Sequence, residues 1–155
     1  MGTYGDCRTI EIEAPPERCY ALMTDYERIP SWQGAVRSIR VLERDEQGRG
    51  SALEYEIDAK VRVVRYRLRQ VYDEPHRLSS EYLGGDFRDF AGEWRFLPDG
   101  DGGTRAELDL RIDPGRFVPG PVRGAISDAV MKRALRDLKR EAEKQPRHAG
   151  RASAA

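Results

Sequence analysis

The chain has 155 residues, with 27 Lys and Arg balancing 27 Asp and Glu. A net charge of zero supplies no field to gather nucleic acid or an anionic membrane, which argues against nucleic-acid binding. The length suits one domain with a sizeable core, no apolar run reaches the ~20 residues of a spanning helix, and the start lacks a signal pattern, so the expected compartment is the cytoplasm.

Residues 1–7 read as a disordered lead. Arg8 to Glu13 then alternates, with Ile10 and Ile12 on one face and Glu11 and Glu13 on the other, the period of a half-buried strand. Ala14-Pro15-Pro16-Glu17 stops that strand and opens a helix from Glu17 to about Thr24, with proline and an acid in its first turn. Cys19 lies among the apolar residues of this helix and reads as a buried reduced thiol; neither it nor Cys7 has metal-site spacing. A short helical turn is expected over Asp25 to Ile29, ending at Pro30-Ser31-Trp32.

Val36 to Arg44 is a strand, followed by a turn at Gln47-Gly48-Arg49-Gly50. With Ala59-Lys60-Val61-Arg62 as the next turn, antiparallel register sets Ile57 against Val64, Tyr55 against Tyr66 and Leu53 against Leu68 on one face. The same register sets Glu56 against Arg65 and Glu54 against Arg67 on the other. A slip of one residue would ruin both faces, so the arginines read as a solvated charge ladder rather than a phosphate site. Arg77 to Leu83 is a strand with Leu78, Ser80 and Tyr82 on one side, broken at Gly84-Gly85-Asp86. Phe90, Gly92, Trp94 and Phe96 alternate with charged residues, the loop Pro98 to Gly103 follows, and Thr104 to Asp113 turns Ala106, Leu108, Leu110 and Ile112 inward. His76, in a turn, and His148, in the tail, have no partners in sequence for a zinc site or a nucleophile pair.

The last element is a long helix from Pro119 or Pro121 to about Lys144. Val122, Ile126, Val130, Leu135, Leu138 and Ala142 form its apolar stripe, and Asp128, Lys132, Arg136, Lys139, Arg140 and Glu143 fill the remaining arc. At about 36 Å it is long enough to cover the apolar face of a sheet. Gln145 to Ala155 reads as a disordered tail. The expected architecture is α+β: a curved seven-stranded antiparallel sheet wrapped around the C-terminal helix, with two short helices after the first strand.

Ala14-Pro15-Pro16-Glu17, the segment Asp25 to Trp32, Gly92-Glu93-Trp94-Arg95-Phe96 with Gly103-Thr104, and Leu135 to Arg140 together carry a resemblance to a known family. Over residues 8–144 the chain resembles the START-like (SRPBCC) helix-grip superfamily, which includes polyketide cyclases and ubiquinone-binding proteins. The resemblance implies a hydrophobic cavity between the helix and the concave face of the sheet. Tyr55, Tyr66, Tyr82, Phe90 and Trp94 would project into it, facing Ala125, Ala129 and Ala134 of the helix. Trp32, and Phe117 with Val118, would stand near its mouth, and Gly84 to Phe87 would form a second rim loop able to move.

Three functions are compatible with this reading. The first is a binding protein for a lipid, isoprenoid or polyketide-type molecule. The second is an aromatase/cyclase in which Tyr55, Tyr66, Tyr82 or bound water moves protons, with Arg37 joining them only if its strand turns that edge inward. The third is docking on a membrane or an acyl-carrier partner through Lys132, Arg133, Arg136, Lys139, Arg140 and Lys144, among which Asp137, Glu141 and Glu143 interleave. No metal or other cofactor is expected, and the oligomeric state is left open.

Overall fold

A computed structural model describes residues 4–58, 62–113, 115 and 128–144. Its elements in chain order are β1 (Tyr4–Ile12), α1 (Pro16–Thr24), α2 (Ile29–Trp32), β2 (Val36–Arg44), β3 (Gly50–Asp58), β4 (Val63–Asp73), β5 (Arg77–Gly85), β6 (Asp89–Pro98) and β7 (Thr104–Asp113). They end with α3, over residues 128–144. The strands form one antiparallel seven-stranded sheet in the order β1-β7-β6-β5-β4-β3-β2, so every connection but the first is between neighbours. α1, α2 and α3 bury the inner face. The expected start of the long helix at Pro119 or Pro121, the stripe residues Val122 and Ile126, the turn residues Ala59 to Val61 and the tail 145–155 lie outside the described residues.

The β3–β4 hairpin has the register that its two patterns demand. Ile57 pairs with Val64, Tyr55 with Tyr66 and Leu53 with Leu68, while Glu56 meets Arg65 and Glu54 meets Arg67. On the outer face the ladder extends to β2, because Glu54 binds both Arg67 at 3.1 Å and Arg40 at 2.9 Å. These pairs are exposed, so each contributes only ~0.2–1 kcal/mol and they mainly keep that face in water.

Three boundaries differ from the sequence reading. β1 begins at Tyr4 rather than Arg8, because β7 is long enough to pair with it from Ile112 to Thr104, which takes part of the expected disordered lead into the sheet. The turn expected over Asp25 to Ile29 is present, closed by the Arg28 amide on the Asp25 carbonyl at 3.0 Å, but it leads into a helix, Ile29–Trp32, that the sequence reading did not extend to. Pro30 sits in its first turn, where the missing N–H costs nothing, so the proline begins this helix instead of ending the one before. β5 runs through Gly84 and Gly85, absorbing them at a register shift against Arg67 and Leu68. Gly85 has φ 143°, and a Cβ there would lie 2.5 Å from the Arg65 carbonyl oxygen, so only glycine lets the two strands approach this closely.

On α3, Met131, Leu135, Leu138 and Ala142 are buried against the sheet and the short helices. The helix is tied to the first part of the chain by polar contacts. Lys139 Nζ donates to the Glu11 carbonyl at 2.8 Å, the Glu13 amide donates to Glu143 at 2.9 Å, and Arg18 donates to the Ala142 carbonyl at 3.3 Å. Asp137, expected to interleave with the basic residues of the outer face, is instead 5 % exposed. Its carboxylate accepts the Gly34 amide and Arg140 Nη2, each at 2.8 Å, and this pairing compensates its burial.

Candidate functional site

The inner face of the sheet and the helix layer meet fully at one end and leave an apolar cavity of about 120 Å³ at the other. β3 and β4 supply Tyr55, Ile57, Val64, Tyr66 and Leu68; β6 and β7 supply Phe90, Gly92, Trp94, Leu108 and Leu110. Met23, Ile29 and Gln33 enter from the short-helix side, and Val130 and Ala134 from α3. A larger depression, about 670 Å³, lies on the outer face over Arg40, Glu54, Glu56, Arg65 and Arg67. It is open to solvent and walled by the ion-paired ladder, whereas the inner cavity has the apolar walls and few polar groups of a small-molecule site.

The aromatic wall is built by alternation and register. Tyr55 and Tyr66, paired across β3 and β4, stack at 5.5 Å with planes 3° apart. Tyr66 also packs on Phe90 at 5.1 Å and on Phe87 at 5.2 Å. Phe87 closes this side because the chain after β5 is fastened back to β4: the Asp86 carboxylate and amide pair with the Arg65 amide and carbonyl, each at 2.8 Å. Tyr82 Oη donates to the Phe87 carbonyl at 2.7 Å. The expected mobile rim from Gly84 to Phe87 is thus tied down by three hydrogen bonds.

Among the residues expected in the cavity, Tyr55, Tyr66, Phe90 and Trp94 line it. Tyr82 does not: its ring stands 6.3 Å from Phe90, and its hydroxyl holds the Phe87 loop. Trp32 is also absent from the wall, since α2 carries it into the core, where it is 8 % exposed. Ala134 lines the cavity as expected, but Ala129 is exposed, on the side of α3 shared with Lys132, Arg136 and Arg140 at helical spacing, and Val130 takes its place. Phe117 and Ala125 lie outside the described residues. Arg37 is exposed and falls at an irregularity in the β2–β3 register, which leaves it out of the cavity.

The polar groups of the wall are Gln33, Gln70 and Ser80, beside the Tyr55 and Tyr66 phenols and the Trp94 indole. Gln33 Nε2 donates to the Ala134 carbonyl at 3.3 Å, linking the short helices to α3. Gln70 and Ser80 occupy inward positions of β4 and β5 and pair with each other, Ser80 Oγ to Gln70 Oε1 at 2.5 Å. The sequence signal for them was a polar residue in an inward register, Ser80 between Leu78 and Tyr82 and Gln70 two beyond Leu68. Burial pushes the Tyr55 and Tyr66 hydroxyls up from the usual phenol range, so both stay protonated and act as donors. Among the described lining residues no carboxylate, histidine, lysine or arginine faces the cavity.

The basic face of α3 is largely paired within the helix. Lys132 meets Asp128 at 3.1 Å, Arg133 meets Asp137 at 3.9 Å, Lys139 meets Glu143 at 2.6 Å and Lys144 meets Glu141 at 3.8 Å. Among the described residues no helix is long and apolar enough to cross a membrane.

Comparison with known proteins agrees with this arrangement. Residues 12–139 match the family described as polyketide cyclase/dehydrase and lipid transport. The bifunctional cyclase/dehydratase of the granaticin polyketide synthase from Streptomyces violaceoruber is 29% identical over 133 residues, 84% of this chain and 40% of that protein. The chain therefore spans less than half of that relative. A START superfamily protein from Mycobacterium smegmatis has the same fold, with a TM-score of 0.83 at 20% identity over 91% of this chain and 98% of that one. The Zhui aromatase/cyclase from Streptomyces sp. R1128 does too, with a TM-score of 0.79 at 16% identity over 96% and 98%. With its seven-stranded sheet gripping a C-terminal helix and its sequence matching from Ile12 to Lys139, the chain belongs to the polyketide cyclase/dehydrase and lipid transport family of START-like (SRPBCC) helix-grip proteins.

Proposed function

We propose that this protein binds a small hydrophobic or aromatic molecule in the cavity between its sheet and α3. The observation that carries the reading is an apolar cavity with ring walls and a few inward polar groups, beside a closely packed core. Its volume, about 120 Å³, is of the order of the ~150 Å³ apolar cavity known to take benzene, which sets the expected ligand on the scale of a single ring. Aromatic walls supply contact area and orientation, and the phenols and the Gln70–Ser80 pair supply specificity.

A cyclase-type reaction in the same cavity is the second reading, supported by the similarity to the granaticin cyclase/dehydratase. The chemistry of the described wall favours binding over it. Abstraction of a proton needs a group whose basic form is present near neutral pH, and phenols pushed up by burial are poor bases. They can orient a carbonyl and donate to it.

Native mass spectrometry of the freshly purified protein, with organic extraction of whatever it carries, tests the reading. A co-purifying apolar molecule, or saturable quenching of tryptophan fluorescence by single-ring aromatics, is the expected result. A protein that carries nothing and fails to bind single-ring, quinone and fatty-acid probes would remove the cavity function and leave surface docking.

A further inference from the structure

The buried polar groups behind the cavity form one continuous line. Ser80 Oγ lies 2.5 Å from Gln70 Oε1, and Gln70 Nε2 lies 3.1 Å from Tyr26 Oη. Tyr26 Oη lies 2.7 Å from Tyr72 Oη, which in turn lies 2.5 Å from the Gly50 carbonyl oxygen. The chain crosses from the cavity wall to the far side of the domain, where Arg49 stacks over the Tyr72 ring at 4.5 Å.

Its direction is dictated from the far end. A carbonyl oxygen only accepts, so the single Tyr72 proton is committed to Gly50. Two hydroxyl oxygens at 2.7 Å repel unless a proton lies between them, so Tyr26 donates to Tyr72. Tyr26 then has only lone pairs for Gln70, which must present its NH₂. That turns the amide oxygen to Ser80, and Ser80 must donate. Each link has one solution. Burial holds the Tyr26 hydroxyl far above the usual phenol range, so the line keeps its proton. At the cavity wall, Ser80 is left with its proton used and its lone pairs unspent. Across the strand pair stands Gly92, which has no side chain to cover it.

Resting on the ligand-binding reading above, we propose that Ser80 is a fixed hydrogen-bond acceptor that selects ligands carrying a phenolic or enolic hydroxyl over ligands that present a carbonyl at that point. The site therefore favours the enol or aromatised form of a keto compound. Its polarity is set by Tyr72, a residue outside the cavity wall.

Fluorine NMR titrations with 4-fluorophenol, 4-fluorotoluene and 4-fluorobenzonitrile test this, the three probes offering a donor, neither and an acceptor on one ring. Ser80→Ala is expected to weaken 4-fluorophenol by ~10-fold while 4-fluorotoluene changes less than ~2-fold. Tyr72→Phe keeps the ring beneath Arg49 but frees the line to reverse. Tyr26 then donates to the Gln70 oxygen, the turned amide donates to Ser80, and the Ser80 proton is released to the cavity. That variant is expected to weaken 4-fluorophenol and strengthen 4-fluorobenzonitrile by ~5-fold. It substitutes no wall residue and carries the test alone if Ser80→Ala does not fold. Saturable binding of all three probes with ratios unchanged in both variants overturns the acceptor assignment and leaves the cavity function standing. No saturable binding of any probe to the unsubstituted protein overturns both.

Discussion

The two ends of the inner face make different use of the same sheet. At the end near α1 and the C-terminal turns of α3, Ile12, Cys19, Phe96, Ala106, Leu138 and Ala142 are almost wholly excluded from solvent. At the other end Tyr55, Ile57, Trp94, Val130 and Ala134 are only partly buried. Along β6 the inner positions run Phe96, Trp94, Gly92, Phe90, so bulk is continuous until a glycine interrupts it. Tyr20 meets Phe96 edge-on at 6.3 Å in the closed end, and the open end has parallel rings with space in front of them. Close packing stabilises, and a cavity gives up that stabilisation for room. The molecule concentrates the first at one end and places the second at the other, so occupancy of the cavity under the proposed function would leave the closed end undisturbed.

The contrast is broken most directly at Phe96. Replacing this wholly buried ring by alanine is expected to cost ~3–5 kcal/mol, read as a lower midpoint in urea unfolding. The probe affinity of the molecules that remain folded should be unchanged, and a parallel loss of affinity at low denaturant would show that the two ends are one unit.

A smaller effect comes from raising the pH. Desolvation pushes the Tyr20 hydroxyl up to about 12, above the ~10 of an exposed phenol, so folding favours its protonated form. Its contribution is fully present below about pH 10 and is lost as the pH rises through about 12. Burial likewise pushes the Cys19 thiol up to about 11. Unfolding free energy measured from pH 9 to 12 should therefore fall, and Tyr20→Phe should blunt the upper part of that fall. An identical slope in the variant would assign the loss to other groups.

The smallest change sharpens the contrast at the open end. A Cβ added at Gly92 would lie 3.2 Å from Phe90 Cε1 and 3.6 Å from Leu110 Cδ1, contacts that a small ring shift relieves. Gly92→Ala is expected to alter stability by less than ~1 kcal/mol and to weaken 4-fluorotoluene by ~5-fold. Equal affinity in the two proteins would mean that the ligand does not use this part of the cavity.

Much of this arrangement could be read from local pattern. Strand period and charge pairing both act between near neighbours, so Tyr55 opposite Tyr66 and the Glu54–Arg67 pair follow from one hairpin register. The inward sides of Phe90 and Trp94 follow from alternation along β6, and the long apolar stripe of α3 required a sheet beneath it. Such constraints involve a few residues along one element, and the sequence writes them directly.

Tertiary structure decided where an element's face meets something else. Ala129 and Val130 are adjacent, yet the rotation of α3 on the sheet sends one to solvent and the other to the cavity. Asp137 is buried because Gly34, far away in sequence, offers it an amide. The line from Ser80 through Gln70, Tyr26 and Tyr72 to Gly50 joins three strands and the segment between α1 and α2. No spacing encodes it, because each hydrogen bond exists only once separate elements are held at about 3 Å. The sequence alone determined the strands, their facing rings and the need for a covering helix. The volume left under that helix, and the direction in which its polar wall points, depend on long-range packing and were settled only by the fold.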